Sequence, residues 1–439
     1  MPIPQRAPGL ELLKSVLSGD AFAGAIQRIG LLAEVGGKYV HWDELRRRQP
    51  PEGLTVEQCW GVLRLARQAL RVDVPLRAEG GQSFWFARTD ALVRSLHEID
   101  QHLGTKLDVV DPALANDSIR DRYILRSLAE EAIASSQLEG ASTTRRVAKE
   151  MLLQGRAPRS PGERMITNNF RAMSFVREQR DEPLTPTMLN ELHRILTEHT
   201  LDANEVGRLR TSSESVTVQA HSTGEVVHVP PTAQELPQRM EALCAFANAS
   251  DDDVFVHPVV RAVLLHFMVG YDHPFVDGNG RTARAVFYWS LLRHNYWLAE
   301  FLPISRVIKK APAKYGRAYL LTETDHGDAT YFILHQLAVI QEAIKDLDAY
   351  LANKAREVKH AEKLLKDPSR FNHRQQALLA HALRHPNGVY TIDAYRREHG
   401  VVYQTARTDL LALARAGFLT KKKAGKAFVF GSGTGLRGR

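Results

Sequence analysis

Two cysteines in 439 residues are the first shortage of this chain. Cys59 and Cys244 lie far apart and have no CxxC companion, which argues against a disulfide framework and against a cysteine-built zinc site. No stretch approaches the ~20 apolar residues of a membrane-spanning helix. The opening MPIPQRAPGLELLKSVLSGD has neither the long apolar run nor the small-residue cleavage site of a secretory leader. A cytoplasmic protein with no membrane partner is therefore expected. No repeat or low-complexity tract stands out. Acidic residues are scarce in one place: Phe371 to Arg439 holds 3 Asp+Glu against 12 Lys+Arg, while the rest holds 47 against 46. The net charge of +8 thus belongs to the C-terminal segment. Concentrated positive charge favours a polyanion through attraction and counterion release, although charge alone reads first as a solvated basic face and tail.

What is present suits a soluble globular protein, with 44% hydrophobic and 25% charged residues and a length that fits two or three domains. Three parts are predicted. Residues 1–105 form an N-terminal accessory α+β region, with a short β-ribbon in RVDVPLRAEGGQSFWFAR turning at Gly80-Gly81 and a helix in TDALVRSLHEIDQHLG stopped by Gly104. Residues 106–365 are mainly α. SIRDRYILRSLAEEAIASSQLEG reads as a helix ending at Gly140, and DDVFVHPVVRAVLLHFMVGYD is an apolar core helix with Val260, Leu264, Phe267 and Tyr271 at helical spacing. Between them, alternating valines around a Ser-Thr-Gly turn in ESVTVQAHSTGEVVHVPP predict a β-hairpin. Residues 366–439 give helix, helix, helix and a basic hairpin, the order of a winged helix-turn-helix.

HPFVDGNGRTAR, His273 to Arg284, concentrates the chemistry. Gly278 and Gly280 flank Asn279, so backbone can approach a ligand closely. A helix beginning at about Arg281 offers free N–H groups to an anion. Arg281 and Arg284, three apart, share a helix face, and two guanidiniums there suit more than one phosphate. Asp277 offers oxygens to Mg2+. His273 is placed to act as a general base on a hydroxyl.

The stretch resembles the signature of the Fic family, HxFx(D/E)GNGRxxR, at every fixed position, and SSQLEG, Ser135 to Gly140, resembles the family's inhibitory motif (S/T)xxxE(G/N). The hairpin stands where the family has its flap, and ISRVIKKAPAKYGRAYLLTETDHGDATYF is similar to the segment that follows the signature; together these cover roughly residues 117–364. The resemblance implies an all-α Fic core with a β-hairpin flap, and an adenylyltransferase that moves AMP from ATP, with Mg2+, to a Ser, Thr or Tyr hydroxyl of a target protein or of itself. On that reading His273 takes the hydroxyl proton and Asp277 holds Mg2+. Gly278, Asn279 and Gly280 cradle the phosphates, Arg281 steadies pyrophosphate and Arg284 binds the γ-phosphate. Val216, Thr217, Val218 and Gln219 of the flap dock the target backbone. Glu139, steadied by Ser135, withdraws Arg284 from the γ-phosphate. Tyr315-Gly316 departs from the paired tyrosines of many relatives, and Tyr315 is the expected adenine contact.

Three alternatives stay open at this point: phosphate transfer, disfavoured by Gly280 where that branch has lysine; removal of AMP from a modified target; and a DNA-binding regulator whose Fic part senses a ligand. The winged-helix segment is a candidate contact to DNA or protein through Arg407, Lys421, Lys422, Lys423 and Lys426. Relatives of this kind are often dimers, so a homodimer is a further candidate.

Overall fold

The computed structural model describes residues 2–9, 20–104, 117–220, 224–249, 255–365, 371–384, 388–424 and 427–436. It separates into two units, Met1–Lys345 and Asp346–Arg439. The N-terminal region and the helical body share the first unit. The expected boundaries near residues 105 and 365 adjoin stretches outside the described residues.

The first unit opens with helices α1 (Asp20–Ile29), α2 (Trp42–Leu45) and α3 (Val56–Ala69). Thr55 starts α3 through a capping box with Gln58. The ribbon β1 (Arg71–Arg77) and β2 (Ser83–Ala87) is antiparallel, and Gly80 and Gly81 turn it at φ of 84° and 83°. Period-two alternation buries Val72, Val74 and Leu76 on one face of β1. Helix α4 (Asp90–Leu103) is capped by Thr89 and stops at Gly104, as the spacing predicts.

This region is bolted to the turn between two later helices by buried polar groups. Arg64 Nη1 donates to Asp325 at 3.0 Å, Arg67 Nη1 to the Tyr331 hydroxyl at 2.9 Å, and Tyr39 to Asp328 at 2.7 Å. Trp85 adds backbone bonds, its N–H to Gly327 and its carbonyl from Ala329.

Helices α5 (Asp117–Leu138), α6 (Arg145–Gln154), α7 (Pro161–Glu178) and α8 (Pro186–Thr197) follow, α7 and α8 each with Ser or Thr at the N-cap and proline in the first turn. The hairpin is smaller than its valine alternation predicts. Only Val218–Gln219 (β3) and Val226–His228 (β4) pair, with a register shift between Val218 and Gln219. Val216 and Thr217 precede the strand, and the turn residues His221 to Thr223 lie outside the described residues.

After α9 (Leu236–Asn248) come the two central helices, α10 (Pro258–Asp272) and α11 (Asn279–Arg293). Nearly every residue of both is buried, including Val260, Leu264, Phe267, Val286, Phe287 and Trp289. Each large apolar side chain so buried contributes ~1.5–3 kcal/mol. The two helices pack on each other, with α7 and α8 against α11 and α9 against α10. Then come α12 (Ile304–Lys310), α13 (Pro312–Thr324) and α14 (Thr330–Leu365), the last a helix of 36 residues.

The second unit contains α15 (His373–Arg384), β5 (Tyr390–Thr391), α16 (Ile392–His399), α17 (Tyr403–Arg415), β6 (Leu419–Ala424) and β7 (Ala427–Ser432). Its sheet has the order β5-β7-β6, and its core gathers Leu379, Tyr395, Ala406, Leu410, Leu413 and Phe430. The chain is thus mainly α with small β elements. Among the described residues no helix is long and apolar enough to cross a membrane.

Candidate functional site

Helix α10 ends at His273, which takes the left-handed conformation at φ 44°, ψ 57°. That geometry is costly for a residue with a Cβ, so the surroundings must enforce it. Arg210 does so: its Nε donates to the His273 carbonyl at 2.8 Å and its backbone N–H to the Pro274 carbonyl at 2.9 Å. The His273 side chain is fixed from the other side, with Nδ1 2.7 Å from the Gly270 carbonyl. A carbonyl only accepts, so Nδ1 carries the proton and Nε2 keeps its lone pair. Burial, aided by the charges of His228 and Arg210, holds His273 below the usual histidine range against the opposing pull of Gly270 and Glu139. The ring is therefore a neutral acceptor at neutral pH.

Gly270 is required here for close approach. A Cβ on it would lie 2.3 Å from the Tyr319 hydroxyl. Tyr319 is wedged between Phe267 and Phe332, with ring centroids 5.1 and 4.5 Å away.

The loop from Phe275 to Gly278 is shaped by two residues. Asn279 spends both amide atoms on Phe275, accepting its N–H at 2.9 Å and donating to its carbonyl at 2.8 Å. What Asn279 can offer a ligand is its backbone N–H. His193 lies flat on Phe275, centroids 3.9 Å apart and planes 4° apart, and its Nε2 meets the Asp277 carbonyl at 2.9 Å. Its Nδ1 accepts from the Gly207 N–H at 3.0 Å, which fixes the tautomer. Burial lowers the pKa of this ring to about 4, so it stays neutral.

Gly278, at φ 82°, is the N-cap of α11 and supplies no side-chain cap. The first N–H groups of the helix are thus free for an anion. Arg281 and Arg284 are both buried beside that end. Arg281 Nη1 donates to the Leu196 carbonyl at 3.0 Å and Nη2 to Asp277 at 3.3 Å. Arg284 turns to α5: Nε donates to Ser135 Oγ at 2.8 Å, and Nη2 to the Ser135 carbonyl at 3.1 Å and to Glu139 Oε1 at 2.8 Å. The same Glu139 oxygen would lie 2.2 Å from a Cβ on Gly280. The carboxylate therefore rests on the first turn of α11, against the one position with no side chain to obstruct it. Burial pushes the Glu139 carboxyl up, but Arg284, with help from Arg281 and His273, outweighs it and leaves it below the ordinary value. Glu139 sits in the turn just after α5, where Gly140 adopts φ 91°.

The structure thus gathers His273, Asp277, Gly278, Asn279, Gly280, Arg281, Arg284, Ser135 and Glu139 at one place. Tyr315 is close by but turned inward, its hydroxyl 2.9 Å from His266 Nε2 and 3.3 Å from the Tyr319 hydroxyl. Arg210, His193 and the Gly270–Tyr319 contact were not visible in the sequence, because each acts through a tertiary contact that no spacing encodes. Among the described residues no group of three or more His, Cys, Asp or Glu could hold a metal ion. The Asp277 carboxylate is about half exposed, with 55% of its side chain open, and among the described residues it pairs with Arg281. One open carboxylate fits Mg2+, which takes few protein ligands and completes its shell with phosphates and water.

Residues 183–291 match the Fic/DOC family. The chain is 28% identical over 268 residues to a protein adenylyltransferase Fic of Nematostella vectensis, covering 58% of this chain and 57% of that protein. It is 33% identical over 161 residues to the protein of that name in Drosophila melanogaster, covering 37% of this chain and 28% of that one. The chain thus spans little more than half the length of the first relative and less of the second. A solved Fic family protein of Desulfovibrio desulfuricans superposes with a TM-score of 0.52 at 20% identity, over 79% of this chain and 97% of that one, which makes the fold common to both. The HPFVDGNGRTAR loop therefore lies inside the stretch that matches the Fic/DOC family.

Proposed function

We propose that this chain is a protein adenylyltransferase held in check by its own Glu139. The observation that carries the proposal is the Glu139 carboxylate seated on Arg284 and against Gly280, beside a His273 with a free Nε2. A carboxylate in that position marks where an anionic group belongs, and the names of the matched relatives indicate that the anion is ATP.

In the reaction, His273 Nε2 accepts the proton of a Ser, Thr or Tyr hydroxyl of the target or of this chain. The hydroxyl oxygen bonds to the α-phosphorus as the bond to pyrophosphate breaks. The N–H groups at the start of α11 and the Arg281 guanidinium face the charge that develops on the phosphates. Asp277 would hold Mg2+, which supplies charge neutralisation on the phosphates. Arg284 binds the γ-phosphate once Glu139 leaves it. Positioning and electrostatics supply most of such catalysis. Strand β3 and the preceding Val216 and Thr217 present main chain to an extended target segment. A cytoplasmic location completes this reading.

The second unit is read as a winged helix that contacts DNA. Its buried acid, Asp409, is neutralised internally by Arg374, Asn372 and Tyr395. Arg407, Lys421, Lys422 and Lys423 are exposed, and Lys426 lies outside the described residues.

The test is label transfer from α-labelled ATP by wild type and His273→Ala, each in a Glu139→Gly background. Transfer should fall by about 10²–10⁴-fold without His273, the usual contribution of one general base, while ATP binding persists. Undiminished transfer removes the mechanism.

A further inference from the structure

His228 on β4 is buried, with 9% of its surface exposed, and both ring nitrogens are engaged. Nε2 is 2.7 Å from the Tyr271 carbonyl and Nδ1 is 2.8 Å from Glu323 Oε2. A carbonyl and a carboxylate both accept, whereas a neutral imidazole has one N–H to give. The two contacts together need one proton more than a neutral ring beside an ionised carboxylate.

The three anchors belong to three elements. Tyr271 lies in the last turn of α10, two residues before His273. Glu323 is on α13. His228 pairs across the hairpin with Val218, a residue of the target-docking strand. The ring also packs on Tyr271, centroids 4.8 Å apart. The geometry points to His228 as a positioning residue whose imidazolium clamps the docking hairpin to the helix end that carries His273 and to Glu323. This rests on the adenylyltransferase reading for its catalytic consequence, but the clamp itself does not.

The groups around it are few. α10 contributes Tyr271 and Asp272 and leads into His273. α9 contributes Arg239, whose charge is taken by Asp272 at 2.7 Å and Glu235 at 3.6 Å. α13 contributes Glu323. The ribbon reaches Tyr271 through the Glu79 N–H, and Arg210 holds the His273 carbonyl. Burial works against the charged ring, but Glu323, the Tyr271 carbonyl and Asp272 outweigh it, so His228 stays above the usual histidine value. The signs are opposite at the two histidines. The clamp is complete below the His228 pKa and is lost as pH rises through it. His273, held low, stays a free base to more acid pH. Activity therefore peaks between them.

Glu323→Gln separates a titrating clamp from a merely structural one. A glutamine can donate its amide N–H to Nδ1, so a neutral ring keeping Nε2–H makes both contacts. In the Glu139→Gly background, label incorporation should fall about tenfold per pH unit on the alkaline side, the slope of one required proton. With Glu323→Gln added, that limb should disappear. His228→Ala should be weak at every pH. Deuterium uptake of the hairpin, corrected for intrinsic exchange, should rise over the same pH range in the parent and not in Glu323→Gln. Identical alkaline limbs, or uptake indifferent to pH in both proteins, would overturn the assignment. If no variant incorporates label at any pH, the adenylyltransferase reading fails, and hairpin uptake alone still decides the clamp.

Discussion

Arg284 and Glu139 meet at 2.8 Å, although 145 residues separate them. The guanidinium is almost wholly buried at 2% exposure, and the carboxylate keeps 28%. A charge-assisted contact of this kind contributes ~1.5–3 kcal/mol. Removing the carboxylate leaves the buried Arg284 with its two bonds to Ser135, so Glu139→Gly should also lower stability.

Glu139→Gly should therefore raise self-labelling from α-labelled ATP roughly ten- to a hundredfold. Glu139→Gly with His273→Ala should be silent. Equal labelling by wild type and Glu139→Gly would make SSQLEG an ordinary helix end. Acidification within the physiological range should not raise labelling by wild type. Against the upward push of burial, Arg284 holds the Glu139 carboxyl below its ordinary range, so the Glu139–Arg284 charge pair persists at physiological pH and is lost only as pH falls through that lowered pKa.

Asp277→Ala should weaken transfer and reduce its dependence on added Mg2+. The measurement is label incorporation across a Mg2+ titration. An unchanged profile would leave Asp277 as a partner of Arg281 and nothing more.

Gly270→Ala should destabilise the first unit, against the usual gain from alanine in a helix. The added Cβ meets the Tyr319 hydroxyl at 2.3 Å, and the aromatic packing around Tyr319 does not let it retreat. Overpacking of this kind costs about 1–3 kcal/mol. Thermal melting should show the loss, and label transfer should fall with it because the Gly270 carbonyl holds His273. A raised melting temperature would show that Tyr319 yields freely.

The second unit gives a salt test. If Lys421, Lys422 and Lys423 meet DNA phosphates, changing all three to alanine should flatten the log–log salt dependence of affinity by about 0.9 per lysine. A gel shift with duplex DNA at several salt concentrations measures it. No shift at low salt would leave the exposed lysines to a protein partner.

Much of the site was legible because its residues are contiguous. HPFVDGNGRTAR brings base, carboxylate, glycines and arginines together by sequence alone, Gly104 and Gly140 announce helix ends, and Gly80-Gly81 announces a turn. What escaped depends on distant packing. Arg210 and His193 act on a loop more than sixty residues away. Tyr315 turned inward because His266 and Tyr319 offer its hydroxyl a buried partner. The hairpin is shorter than its valines suggest, with two residues of β3 paired and a register shift between them. Strand β5, two residues long, carries too little pattern to be seen.

The buried polar bolt between the ribbon region and the turn after α13 bears on how this chain can be cut. Asp325 and Asp328 are fully buried, and Arg64, Arg67 and Tyr39 come from the first 70 residues. A fragment starting after residue 105 would strip Asp325 of Arg64 and Arg67 and Asp328 of the Tyr39 hydroxyl, and removing one partner of a buried charge pair costs ~3–5 kcal/mol. Such a fragment would keep every residue assigned to chemistry and still lose the scaffold under them. The smallest piece that can stand alone is set by this electrostatic debt and not by the reach of the catalytic motif.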